Sequence, residues 1–438
     1  MDWRNRIGLY GAYGLGLSGI GFTLPYLPLY LGEKGLSDTQ ISLISALAAV
    51  AGLAQFPLGL WSDRLQWRKP FLVASLGVLA VATFLLPRAD SLLALGALVV
   101  LFAENGICRA VLESLAGAEA ASLAPAGQVG AAMGALRFWK PVAIVSVTLI
   151  GGFFAERFGV GSILAWLVVV QGLAFAAALL IHDRRAEASS FAPRDNAFSR
   201  SEKRQRHALS RSERRQSRPR WDRSLWAFIA AMVLFHACNA PGGVYLGLFM
   251  DRELQAPAAL LSYAFVVSMV AWMLLARPAG RLADRWGRRP LLIFAWAVMA
   301  LRLALIAVVR SPWEVVAIQV LDGTAGGLFS ILCAAWVTDK LGDARRVGEA
   351  QVIVGTSLVL GSALGPAVSG PIAEALGYRG LFALLAGVGA LATAVVVIWV
   401  PETLKAKPIA GLDAASELVE APHPQRPSPA TAILPNEF

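Results

Sequence analysis

"AGRLADRWGRRP", Ala279–Pro290, sets four arginines and one aspartate between two long apolar stretches. A second version, "LGLWSDRLQWRKP", lies about half a chain earlier at Leu58–Pro70. Gly59, Asp63, Arg64 and Arg68 match Gly280, Asp284, Arg285 and Arg289 at an offset of 221 residues. A knot of charge that recurs between apolar runs is the mark of one unit used twice.

The surroundings of both copies are apolar. Of 438 residues 57% are hydrophobic and 16% charged, and the mean hydropathy is +0.60. A soluble domain carries about 25% charged residues, so this much apolar surface calls for lipid as solvent. The net charge of +10 sits mostly in short segments between apolar runs, a pattern that predicts no nucleic-acid partner. Cys108, Cys238 and Cys333 lie inside apolar runs with no metal-ligand or CxxC spacing, which predicts packing residues and no bound metal. "MDWRNR" leads straight into an apolar span too long for the core of a cleavable signal.

A bilayer core needs about 20 helical residues. Twelve candidate spans begin near Ile7, Thr39, Pro70, Ser91, Gly130, Ser162, Leu225, Ala258, Leu291, Val315, Gly348 and Leu381. The expected fold is therefore all-α, with twelve transmembrane helices in two six-helix, pseudo-symmetric bundles. Twelve spans put both termini on one side. That side would carry Arg4, Arg6, the arginines of both charged loops, Lys340, Arg345, Arg346, Lys405 and Lys407. The other would carry only Lys34, Arg88, Arg157, Arg252, Arg310 and Arg379. The positive-inside rule then places both termini in the cytoplasm and the protein in the cell membrane, which is the inner membrane if the cell is Gram-negative.

The expected divisions are an N-terminal bundle over 1–182, a basic linker over 183–223, a C-terminal bundle over 224–403 and a tail over 404–438. The linker, with "RDNAFSRSEKRQRHALSRSERRQSRPR", is Ser-rich and nearly free of large apolar residues, the composition of a disordered cytoplasmic tether. The tail, with "APHPQRPSPATAILP", reads the same way.

A second match strengthens the repeat. Gly152, Ala155, Glu156 and Gly159 in "GFFAERFG" correspond to Gly370, Ala373, Glu374 and Gly377 in "GPIAEALG" at an offset of 218. Parallel repeats imply two bundles related by an axis along the membrane normal, with a substrate site between them. On these residues the chain resembles the major facilitator superfamily. Gly280, Asp284, Arg285, Gly287, Arg288 and Arg289 follow that superfamily's signature loop, G-x-x-x-D-R-x-G-R-R. In the first copy Gln66 and Trp67 replace the loop's glycine and first arginine. The resemblance implies a twelve-span transporter whose loop aspartate helps hold the inner side closed, with the tighter lock in the second half. Span eleven's "GSALGPAVSGP" is also similar to the G-x-x-x-G-P signature of drug/proton antiporters. Those relatives carry it in span five, which here reads "RFWKPVAIVSVTLIGG".

The first span of each half carries helix breakers: Gly19, Gly21, Pro25 and Pro28 in span one, Pro241, Gly242 and Gly243 in span seven. Paired breaks predict a binding region at the midplane. Tyr13, Tyr26, His236, Asn239 and Tyr245 are its candidate cavity residues. Glu104 and Asp322, 218 residues apart, place one carboxylate at an equivalent point of each fourth span. A charge there costs at least ~2.5 kcal/mol. Arg109 and Glu113 are four apart and able to pair, whereas Glu104 is about 140° round a helix from Arg109. That leaves Glu104 to Lys140, to water in a cavity, or to a proton. "ALRFWKP" after the acidic fourth span also resembles proton-coupled sugar and nucleoside importers, with Glu119 and Arg137 as acid and base.

There is no phosphate loop, no HExxH and no nucleophile constellation among four histidines, so neither ATP hydrolysis nor enzyme chemistry is expected, and no cofactor. The sequence predicts a monomeric secondary transporter in the lipid bilayer, moving a small organic substrate by alternating access with protons as coupling ion. The apolar spans lean it to efflux of an amphipathic compound. Import of a sugar, nucleoside or organic acid is the alternative, and a receptor or sensor without flux is the alternative of another class.

Overall fold

The computed structural model describes residues 3–65, 67–104, 106–123, 129–181, 222–341 and 347–404. The expected linker, except Asp222 and Arg223, and the expected tail, except Leu404, lie outside them. The described helices lie within one compact unit, Met1–Thr403.

The first half begins with α1 (Trp3–Ser18), α2 (Ile20–Thr23) and α3 (Leu27–Glu33). Together they make one span bent by 52° between Thr23 and Leu27, where Pro25 cannot donate to the helix ladder. Span two is α4 (Asp38–Ala51) and α5 (Gln55–Leu65), joined by a turn of 3₁₀ helix. Ser37 and Gln40 form a reciprocal capping box at its start. Then come α6 (Lys69–Leu85), α7 (Leu92–Phe102), α8 (Ile107–Leu123), α9 (Val129–Phe158) and α10 (Ser162–Leu179). Ser91 caps α7 through the Ala94 N–H at 3.2 Å.

The second half comprises α11 (Arg223–Arg252), α12 (Ala258–Trp286), α13 (Arg288–Val308), α14 (Pro312–Leu341) and α15 (Val347–Trp399). Ten helices among the described residues are long and apolar enough to cross a membrane, and the bent α1–α3 assembly makes an eleventh. The 53-residue α15 changes direction at Gly377, where φ is 69° and ψ is 172°. A β-carbon is strained in that region, so glycine ends one crossing and begins the next. Gly159, its repeat partner, makes the equivalent turn between α9 and α10 with φ 82°.

Three expectations change. The second bundle starts at Asp222, inside the stretch read as linker: its carboxylate accepts from the Leu225 N–H at 3.0 Å and meets Lys340 at 2.7 Å. Partial burial raises the Asp222 pKa, but the hydrogen bonds from Lys340, Leu225 and Ser224 outweigh that and hold it below the ordinary value. Span seven is not interrupted: α11 is continuous through Pro241. Proline frees the carbonyl of Ala237, and α15 lays Gly365 directly against it, so the small residues of span eleven are a packing face that seals the flaw. Span four, expected to be continuous, breaks between Phe102 and Ile107.

The core runs through both halves. Trp296, Trp336, Phe228, Phe235 and Phe329 pack as one aromatic group in the second half. Between the halves, α4 packs along α15 and α9 along α12.

Candidate functional site

A cavity of about 320 Å³ lies between the halves. Its two walls differ. The second half supplies a polar wall centred on Arg302 of α13, which is 2% exposed. Its guanidinium donates to Asn239 Oδ1 at 3.2 Å and Gln319 Oε1 at 3.1 Å, and meets Asp322 Oδ1 at 3.1 Å. Asp322 also accepts from the Ser268 hydroxyl. These residues come from α11, α12, α13 and α14, so the network fixes four helices around one charge pair. The imidazole of His236 lies edge-on to Phe329 at 4.6 Å and shares the same wall.

The first half supplies a mostly apolar wall, in which Leu24, Leu27, Leu31, Ala48, Ala49 and Val99 stand beside Thr23, Ser45 and Glu104. Glu104 stands on the turn that breaks span four, so the helical-wheel angle between it and Arg109 does not apply. Its expected cation is engaged elsewhere: Lys140 donates to both oxygens of Glu113 at 2.8 Å. That replaces the Glu104–Lys140 pair and the Arg109–Glu113 pair alike. Arg109 is instead turned inward, 1% exposed. It donates to the Thr23 hydroxyl at 3.1 Å and lies 4.7 Å above the Phe102 ring.

Of the expected site residues, the cavity thus brings together Glu104, Asp322, His236 and Asn239. Arg109 and Lys140 do not line it, and Tyr13 packs in that half's own core. Tyr26 and Tyr245 serve neither wall. The Tyr26 hydroxyl meets Ser262 and Ala258 of the other half, and the Tyr245 hydroxyl donates to the Asp38 carbonyl at 3.1 Å. With Arg252–Asp38, Tyr378–Asp38 and Thr39–Glu374 they gather the cross-half hydrogen bonds of the described residues at the end away from Trp3 and the charged loops. These bonds tie the two halves together at that far end.

Sequence reasoning missed Arg302 and Gln319. The signal was present in "AWAVMALRLALIAV", a lone arginine amid an apolar span, which by the logic applied to Glu104 marks a paired intramembrane charge.

At the near end the second charged loop is tied within its own half. Arg288 pairs with Asp339 and lies 3.4 Å from Asp284. Glu402 accepts from the N–H groups of Arg288 at 3.0 Å and Arg289 at 2.9 Å, capping α13. The Arg289 guanidinium reaches the Val397 carbonyl at 2.7 Å, and Arg285 is exposed. In the first copy Gly59 is half-buried, Arg64 is exposed and Arg68 lies 3.8 Å from Glu119. The side chain of Asp63 lies outside the described ones.

The sequence model of the MFS_1 like family matches residues 7–384. The chain belongs to that family. It is a multi-pass membrane transporter of the MFS type and not an enzyme. An uncharacterized MFS-type transporter of Mycobacterium tuberculosis H37Rv is 27% identical over 391 residues, 87% of this chain and 89% of its own. The multidrug resistance protein MdtG of Salmonella paratyphi A ATCC 9150 is 26% identical over 406 residues, 89% and 93% of the two chains. Among solved structures, the nucleoside transporter NupG superposes with a TM-score of 0.72 at 14% identity, covering 93% of this chain and 100% of that one. A D-xylose–proton symporter gives 0.69 at 13% identity, covering 91% and 98%. These two structural likenesses concern the MFS fold alone.

Proposed function

We propose that this MFS transporter is a proton-coupled, secondary active exporter of a small amphipathic organic compound, working by alternating access as a monomer. The observation that carries this reading is the cavity between the halves, with a polar wall on one side and an apolar wall holding one carboxylate on the other. A solute with a hydrogen-bonding head and an apolar body satisfies both: its head meets Asn239, Gln319 and His236, its body Leu24, Leu27 and Val99. One chain supplies both walls. The likeness to a multidrug resistance protein supports export.

The distribution of arginine and lysine assigns the near end to the cytoplasm, so this conformer is the inward-facing one and the protein belongs to the cell membrane. Glu104 is the proton carrier. It lies on a turn rather than in a rigid helix, beside the cavity, and it exchanges water for solute as the halves rock. Asp322 is held by Arg302 and orients the head group.

Melting the purified protein against a panel of amphipathic compounds, then measuring flux of the stabilising ones in proteoliposomes, tests the reading. Export-direction flux driven by a pH gradient supports it. Stabilisation without flux would make the protein a receptor, and flux indifferent to the gradient would remove the proton.

A further inference from the structure

At the far end the two halves meet through the same device used twice. The Tyr26 hydroxyl contacts the Ser262 hydroxyl and lies 3.4 Å from the Ala258 carbonyl. The Tyr245 hydroxyl donates to the Asp38 carbonyl at 3.1 Å and faces the Ser42 hydroxyl. Tyr26 and Tyr245 are 219 residues apart, and Asp38 and Ala258, like Ser42 and Ser262, are 220 apart. Each half's first span therefore presents a tyrosine to the opening turn of the other half's second span. The matching glycines of the repeat complete the fit. A β-carbon on Gly152 would run into Ser262 Oγ, and one on Gly370 into Ser42 Oγ and the Thr39 backbone. The first glycine of "GFFAERFG" and "GPIAEALG" is thus a seat for the latch serine.

The two latches are unequal. Around Tyr245, the Asp38 carboxylate is 9% exposed and accepts from Arg252 at 2.9 Å and from Tyr378 at 2.8 Å. Arg252 also donates to the Tyr378 hydroxyl at 2.7 Å. Glu374, from the other half, accepts the Thr39 N–H at 2.9 Å and so caps α4 across the gate. Around Tyr26 the repeat puts Ala258 in place of Asp38, Glu33 in place of Arg252 and Val160 in place of Tyr378. None of these can rebuild the network.

We propose that the outer gate is a pair of pseudo-symmetric Tyr–Ser–Gly latches, of which the one charged through Asp38 and Arg252 sets how firmly the gate is shut, while the Tyr26 latch closes by fit. Hydrogen bonds to a charged group are stronger than neutral ones, so losing the charged set moves the closed-to-open ratio about tenfold or more. This concerns the gate alone and stands whether or not protons are coupled.

The test uses Leu31→Cys, a cavity residue near the gate, in full-length protein in oriented vesicles. A membrane-impermeant maleimide is added on the far-end side, and protein with only its three native cysteines, all buried, gives the background. Slow labelling is expected in the Leu31→Cys parent. Asp38→Asn and Arg252→Gln should each speed it about tenfold or more, Tyr245→Phe several-fold and Tyr26→Phe least. Melting curves confirm folding, and Arg252→Gln decides the matter if Asp38→Asn does not fold. Equal rates in the parent and the Arg252 and Asp38 variants, or a Tyr26→Phe effect as large as theirs, would overturn the unequal latches.

Discussion

Glu104 and Asp322 face one cavity from equivalent places in the two halves, yet their surroundings are opposite. The carboxylate of Asp322 lies 3.1 Å from the Arg302 guanidinium. Glu104 stands in an apolar wall, and the lysine within its reach on the next span is bonded to Glu113. The repeat has placed two acids alike in unlike settings: one pairs with a buried arginine of its own half, and the other stands among the apolar side chains of the facing wall.

The Arg302–Asp322 pair should behave as a structural fixture. Asp322→Asn leaves a buried guanidinium without its counter-charge, a change that costs about 3–5 kcal/mol. A melting midpoint several degrees lower in detergent is the expected result, and a partial recovery is expected for the double variant Arg302→Met/Asp322→Leu. An unchanged midpoint for Asp322→Asn would mean that the pair is solvated and does not order the polar wall.

The near end gives a contrast between two acids of the signature region. Glu402 caps α13 through two backbone N–H groups, and a lost cap costs about 0.5–2 kcal/mol. Asp284 is 73% exposed on its side chain, and a surface pair contributes about 0–1 kcal/mol. Glu402→Ala should therefore lower thermal stability more than Asp284→Asn. The reverse order would show that the loop aspartate already holds this conformer together.

Gly377 turns span eleven into span twelve with φ 69° and ψ 172°. Gly377→Ala puts a β-carbon into a conformation whose cost is about 1–3 kcal/mol. Reduced stability of that size, with the cavity still able to bind a stabilising compound, is expected. Wild-type melting would show that the turn relaxes freely.

What the sequence disclosed follows from what is local. Ser91, Ser162 and Ala258 were legible as span starts because caps and turns are short-range chemistry, and the apolar spans themselves follow from apolar length. Arg302 is equally legible as a lone charge in an apolar run, but it has no counterpart at the 218-residue offset that marks Glu104 and Asp322. The break in span four had a local mark in the Asn-Gly pair of "AENG", a strong turn dipeptide, masked by the apolar run around it. Span seven misled in the other direction: Pro241 reads as a break, but the packing of Gly365 against Ala237 is made by residues more than a hundred positions away. Tyr26 and Tyr245 flank the breakers and so read locally as cavity residues. Their true partners, Ser262 and Asp38, lie in the opposite half, and no periodicity within one span points there.

Proton coupling through Glu104 is the claim on which the functional account turns. Glu104→Gln keeps the shape of the side chain and removes its ability to exchange a proton. In proteoliposomes loaded with a compound that stabilises the wild type, two rates are measured side by side: flux driven by a pH gradient, and exchange of labelled for unlabelled compound at equal pH. The account predicts that Glu104→Gln loses the gradient-driven flux and keeps the exchange; wild-type gradient dependence in Glu104→Gln would contradict it.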